Sequence, residues 1–216
     1  MVDIVHEIQA ARRAVGTGTL AAGDARSISI TRTYDAGIDD VWDALNSPER
    51  LGRWFMPVSG DFRIGGRYQL EGNAGGEILA CERPNRFKVT WAYGDPADPA
   101  DVSELEVRLV PACEGRTTLE LEHVAIVPDD RWTEYGPGAV GVGWDQGLLG
   151  LARHLTGEPP LDPMAWGMGD EGRAFFVASS RAWGDASVVA GTDPDAAARA
   201  AEATLAFYAP PPDAQG

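Results

Sequence analysis

The sequence predicts an α+β fold, an antiparallel sheet of about six to seven strands followed by a long C-terminal helix, with helical extensions at both ends. Three observations predict it. Apolar and polar residues alternate from Ser27 and again over Thr117 to Ile126. The stretch between is cut every few residues by turn-forming Gly, Pro, Asn and Asp. From Gly138 to Leu155 the apolar period changes to that of a helix.

In chain order, Asp3 to Val15 places Ile4, Ile8, Ala11 and Val15 at helical spacing, so a short amphipathic helix is expected before a break over Gly16 to Gly23. The first strand sets Ile28, Ile30, Arg32 and Tyr34 on one face and Ser29, Thr31 and Thr33 on the other. Two short helices follow, the first carrying Val41, Trp42 and Leu45 on one side, with Asn46-Ser47-Pro48 ending one and starting the next. A meander then runs through Asp61-Phe62, Arg67 to Glu71, Glu77 to Glu82, Arg86 to Tyr93 and Val102 to Val110. Its separators are Gly65-Gly66, Gly75-Gly76, Pro84-Asn85 and Asp95 to Asp101. In the last strand Leu119, Leu121 and His123 share a face opposite Thr118, Glu120 and Glu122.

Val140, Trp144, Leu148, Leu151 and Leu155 form the stripe of the long helix. Beyond Pro159-Pro160, Phe175, Phe176, Val177 and Trp183 are too apolar for a disordered tail, and a helix is expected from about Gly172 to Ala190. Gly191 stops it. Asp193 caps another, with Pro194 at its first position and Ala197, Ala201, Leu205 and Tyr208 on its buried face. The expected organisation is a helical arm over 1–26, a sheet-and-helix domain over 27–157, a helical extension over 158–209 and a disordered tail over 210–216.

Composition excludes several function classes. A net charge of −15 repels phosphate backbones, and no basic run exceeds Arg12-Arg13, so nucleic acid is not an expected partner. No apolar run approaches the roughly 20 residues a membrane span needs, and the N-terminus lacks the pattern of a secretory signal, which points to a cytoplasmic protein. Cys81 and Cys113 have neither CxxC spacing nor a histidine cluster, and buried reduced thiols are expected. No metal or cofactor is expected: Asp129-Asp130, Glu134 and Asp145 fit no calcium loop and read as caps and solvated turns. No nucleophile motif or phosphate-binding fingerprint is present either. Basic charge is almost all arginine, with Lys88 the sole lysine, which hints at a GC-rich bacterial gene.

The order strand, two short helices, meander, long helix resembles the START-like (helix-grip) superfamily, which includes the birch-pollen allergen and polyketide cyclases. Arg32-Thr33-Tyr34-Asp35-Ala36, Val41-Trp42, Ser47-Pro48-Glu49-Arg50-Leu51 and Arg53-Trp54-Phe55 resemble the family named after activators of the ninety-kilodalton heat-shock chaperone ATPase. Phe62 to Tyr68 and the strand ending at Trp91 are similar to it too. The resemblance covers roughly Ser27 to Leu155, and the flanking segments look like extensions found in some actinobacterial members. It implies a helix-grip fold, a curved antiparallel sheet around the long C-terminal helix, with a cavity between sheet and helix. Eukaryotic activators of the family carry a further chaperone-binding domain that this sequence does not display, and bacterial members are mostly of unknown role.

Residues expected to line that cavity are Trp54, Phe55, Tyr68, Trp91, Tyr93, Leu121, His123, Trp144 and Leu148. His123 is the polar group among them, a core histidine by default and otherwise a ligand anchor or an acid/base. Arg32, on a face that should be buried, calls for a salt bridge or clamps a ligand carboxylate. On the long helix Gly143, Gly147, Gly150 and His154 share one face, and the groove they leave is expected to receive Trp183, Phe207 or Tyr208. The first expected function is binding a hydrophobic or amphipathic small molecule. A protein-partner role, as chaperone co-factor or homodimer, is the alternative, and a cyclase or dehydratase acting through His123 the third reading.

Overall fold

In a computed structural model describing residues 3–94 and 101–210, the chain forms eight strands in one antiparallel sheet and eight α-helices. The Asp95 to Ala100 connection and residues 211–216, expected as a turn and part of a disordered tail, lie outside the described residues. The strand order is β1-β2-β8-β7-β6-β5-β4-β3. Two compact units divide the chain, one of residues 16–126 and 150–160, the other of 1–15, 127–149 and 161–216.

In the sheet unit, β2 (Gly23–Tyr34) pairs with β8 (Thr117–Ala125), and β8 with β7 (Ser103–Pro111). Register sets Ile28 opposite His123, His123 opposite Leu105, and Ile30 and Val107 on either side of Leu121. One sheet face is therefore largely apolar: Ile28, Ile30, Leu105, Val107, Leu109, Leu119 and Leu121 are all buried, with Arg32 and His123 among them. The opposite face is a ladder of charge, with Arg86 and Arg108 bonded to Glu106 and Lys88 to Glu104. The meander continues through β6 (Arg86–Trp91), β5 (Gly75–Glu82), β4 (Arg67–Leu70) and β3 (Val58–Gly60). The strand expected at Asp61-Phe62 is displaced: β3 lies just before this pair, which falls in the connection to β4.

Helices α2 (Ile38–Asn46) and α3 (Pro48–Trp54) follow β2 as expected. Ser47 ends the first and caps the second, its Oγ accepting from Arg50 N. Val41, Trp42 and Ala44 are buried, and the Trp42 indole meets the Phe87 ring edge-on at 6.1 Å.

The N-terminus differs from expectation. The helix α1 stops at Gln9, and Ala11–Leu20 is an edge strand, β1, where the spacing predicts helix to Val15 and then a glycine-rich break. This is why the sheet has eight strands. The glycines suit a strand here because of close packing: a Cβ on Gly18 would lie 2.8 Å from Val124 Cγ1. Helical spacing of four apolar residues is a weak signal against an available sheet edge.

The helical unit contains α1 (Ile4–Gln9), α4 (Asp129–Tyr135), the greater part of α5 (Gly138–Leu155), α6 (Pro163–Met168), α7 (Asp170–Val189) and α8 (Pro194–Tyr208). Helix α5 has the bounds its period predicts, and α8 begins as predicted, Asp193 Oδ1 accepting from Ala196 N at 3.0 Å. Its most buried residues are Ala197, Ala200 and Thr204. α4 and α6, too short for a periodic signal, were not anticipated. Within the unit Trp166, Phe175, Phe176 and Tyr208 form an aromatic cluster.

An aromatic does dock on the glycines of α5, though at a different position. The Trp183 indole lies against Gly141, where a Cβ would come within 2.2 Å of Cε2. Gly143 faces the Tyr208 hydroxyl, whereas Phe207 is exposed. Gly150, in the sheet unit, faces the Trp54 carbonyl.

Candidate functional site

Period-two alternation and cross-strand register place His123, Leu121, Trp91 and Ser103 on the apolar face of the sheet. His123 and Trp91 are each 7 % exposed, with ring centroids 6.3 Å apart in an edge-on arrangement. His123 Nε2 lies 2.8 Å from Ser103 Oγ, and the Ser103 hydroxyl donates to Trp91 O at 2.8 Å. Because that hydroxyl hydrogen is used, Oγ accepts from the ring, which assigns the proton to Nε2 and makes Nδ1 the acceptor atom. Burial pushes the His123 pKa down to about 4, so the ring is neutral at physiological pH. The result is a neutral, fixed imidazole in an apolar surface.

A second group is built by α3 and the last turns of α5. Trp54 donates from Nε1 to Ala44 O and stacks at a tilt with Phe55 and with the ring of His154. Arg50 donates from Nε to His154 Nε2 at 3.1 Å and from Nη1 to Asp40 and Asp43. Burial, then the Arg50 and Arg53 cations, hold the His154 pKa below the ordinary value. Tyr68, half-buried on β4, donates its hydroxyl to Thr90 O, and burial raises its pKa.

Among the nine expected cavity residues the structure thus sets Trp91, Leu121 and His123 on one face, and Trp54 beside Phe55. Trp144 is half-buried and Leu148 buried, both within the helical unit. Tyr93 is a correction. It is 70 % exposed, because β6 ends at Trp91 and the pairing reduces to a single bridge between Ala92 and Gly75, so the alternation does not extend to it. Arg32 is buried as expected, its guanidinium 5.2 Å from the centre of the Tyr34 ring. The cysteines are corrected too: neither forms a disulfide, but both are exposed, Cys81 near the end of β5 and Cys113 in a turn.

Sequence reasoning missed Ser103 and Asp145. Ser103 is found by extending the Leu105, Val107, Leu109 alternation back one step, but its contact with His123 depends on register. Asp145, read as solvated, is 4 % exposed. Its carboxylate takes Arg13 Nη2 and Nε at 2.9 and 3.0 Å, Ser179 Oγ at 2.6 Å and Trp183 Nε1 at 3.1 Å, all within the helical unit. Its position three residues after Val142 and before Leu148, inside the buried stripe, was the available signal. Among the described residues no group of three or more His, Cys, Asp or Glu could hold a metal ion, and no helix is long and apolar enough to cross a membrane.

The class is helix-grip within α+β. Residues 35–156 match the model of the family described as Activator of Hsp90 ATPase homolog 1-like protein. The crystal structure of CalU16 from Micromonospora echinospora is similar at 36 % identity, covering 82 % of this chain and 98 % of that one with a TM-score of 0.64. Its solution structure covers 85 % and 97 % with a TM-score of 0.67. PFC0360w, an HSP90 activator from Plasmodium falciparum, is similar at 25 % identity, covering 62 % of this chain and 97 % of that one with a TM-score of 0.52. No match is found among the curated proteins. The chain belongs to the Activator of Hsp90 ATPase homolog 1-like family. The likeness to CalU16 covers more of the chain than residues 35–156 do, so it takes in flanking segments as well.

Proposed function

We propose that the chain binds a neutral hydrophobic or amphipathic small molecule on the apolar face of its sheet, with Trp91 and His123 as anchor. The observation that carries this reading is the Trp91, His123, Ser103 relay. It holds an uncharged imidazole in one orientation within an apolar surface, and a few fixed polar groups among apolar ones are what orient a buried ligand. None of these three residues carries a charge to pair with a ligand carboxylate or ammonium, which favours a neutral group at this end of the face, while Arg32, buried on the same face, has the Tyr34 ring as a neighbour. Acid–base catalysis by His123 is disfavoured on the same ground, since a group titrating near 4 is a weak base at neutral pH.

Native mass spectrometry of protein purified from its own host, with thermal shifts across a lipid and polyketide library, tests the reading. A retained neutral molecule, lost in Trp91→Ala, is the expected result. A ligand-free spectrum and no shift by any compound would overturn it. The protein-partner reading draws on PFC0360w, described as an HSP90 activator. Stimulation of a chaperone ATPase by the purified chain would favour it instead.

A further inference from the structure

The geometry points to a second small-molecule site, inside the helical unit and independent of the sheet face: a pocket between α4, α7 and α8 that takes a neutral monocyclic aromatic with one hydrogen-bonding group, such as a phenol. Along α7, Ser180, Trp183, Gly184 and Ser187 fall at three- and four-residue spacing on one face. The facing side of α8 offers only alanines at the same spacing, among them Ala197 and Ala200, and α4 supplies Trp132 and Tyr135. Between them these short side chains and the rings of α4 enclose a space.

That space is about 140 Å³. An apolar cavity of about 150 Å³ accommodates benzene, so the size fits one six-membered ring and little more. Its walls carry two indoles and a phenol ring and no formally charged side chain, which excludes an ionised ligand.

The polar content of the pocket is specific. Ser187 Oγ donates to Thr192 Oγ1 at 2.7 Å, and Trp183 Nε1 is turned to Asp145, so these groups are engaged. Ser180 Oγ is different. Ser180 is buried at 2 % exposure and lines the pocket, and its Oγ has no hydrogen-bond partner among the described residues, so rotation about χ1 would offer it to a ligand without breaking a bond. Such a group carries a desolvation cost that a ligand hydroxyl would relieve.

Phenol and toluene, matched in size, are the probes, titrated into the full chain by calorimetry and ligand-detected NMR. Phenol is expected to bind about fivefold more tightly than toluene, the range a single hydrogen bond supports. Ser180→Ala should bind both probes with that preference abolished, and Ala200→Leu, which fills the space, should bind neither while keeping its helical circular dichroism. If Ala200→Leu fails to fold, Ser180→Ala decides alone. Failure of the wild type to bind either probe, a phenol preference surviving in Ser180→Ala, or binding unchanged in folded Ala200→Leu would each overturn the site.

Discussion

His123 shows how much a single position depends on its neighbours. On β8 it follows the alternation that buries Leu119 and Leu121, and register brings it Ser103 and Trp91. The unfolded imidazole titrates near 6.5, while the folded one is held at about 4 by burial. Between those values the unfolded chain binds a proton that the native chain does not. The stability from a neutral His123 is thus intact above about pH 6.5 and is lost as pH falls toward 4, by about 3 kcal/mol at most. Chemical denaturation of His123→Gln at pH 7 and pH 4.5 should show a shallower acid loss than wild type. An identical slope in both would refute the burial of this ring. At this scale the sequence disclosed the burial of His123 and not its partners, because alternation gives a face and not a register.

At the scale of elements, α5 and α7 fit through glycine. Gly141 ordinarily weakens a helix by about 1 kcal/mol relative to alanine, yet a Cβ there would overlap the Trp183 ring. Packing should outweigh propensity: Gly141→Ala is expected to lower Tm despite its better helix propensity, with a loss of about 1–3 kcal/mol from overpacking. A higher Tm in Gly141→Ala would show that Trp183 yields readily. Helix α5 itself, from Gly138 to Leu155, was legible because its apolar stripe persists over 18 residues. The groove partner was legible as a class, an aromatic from the C-terminal helices. The glycine that receives it was not, since several glycines lie along α5 and only the crossing of the two helices selects among them.

At the scale of the whole molecule, the helical unit is assembled from three separate stretches of the chain, and Asp145 is where they join. Arg13 comes from the N-terminal stretch, Asp145 from α5, and Ser179 and Trp183 from α7. Removing one member of a buried pair leaves the other charge uncompensated, at about 3–5 kcal/mol. Arg13→Ala and Asp145→Ala should each destabilise by that order, and the double variant by much less than their sum. Hydrogen exchange should show Arg13→Ala loosening Ser179 to Trp183 on α7. Additive losses, or unchanged exchange in α7, would show that the N-terminal stretch is not part of this unit's core.

The sequence by itself determined the α+β class, the face of β2 and β8 that is buried, the bounds of α5 and the capped start of α8. These depend on periodicity and on local hydrogen bonding, both properties of neighbouring residues. Only the tertiary structure decided that Ala11 to Leu20 is an edge strand, that Asp145 is a buried hub, that Tyr93 is exposed, and that Ser103 completes the His123 relay. Each of these depends on which distant segment arrives opposite a residue. A polar or glycine-rich segment carries little preference of its own until a partner supplies the hydrogen bonds and the space it must fill.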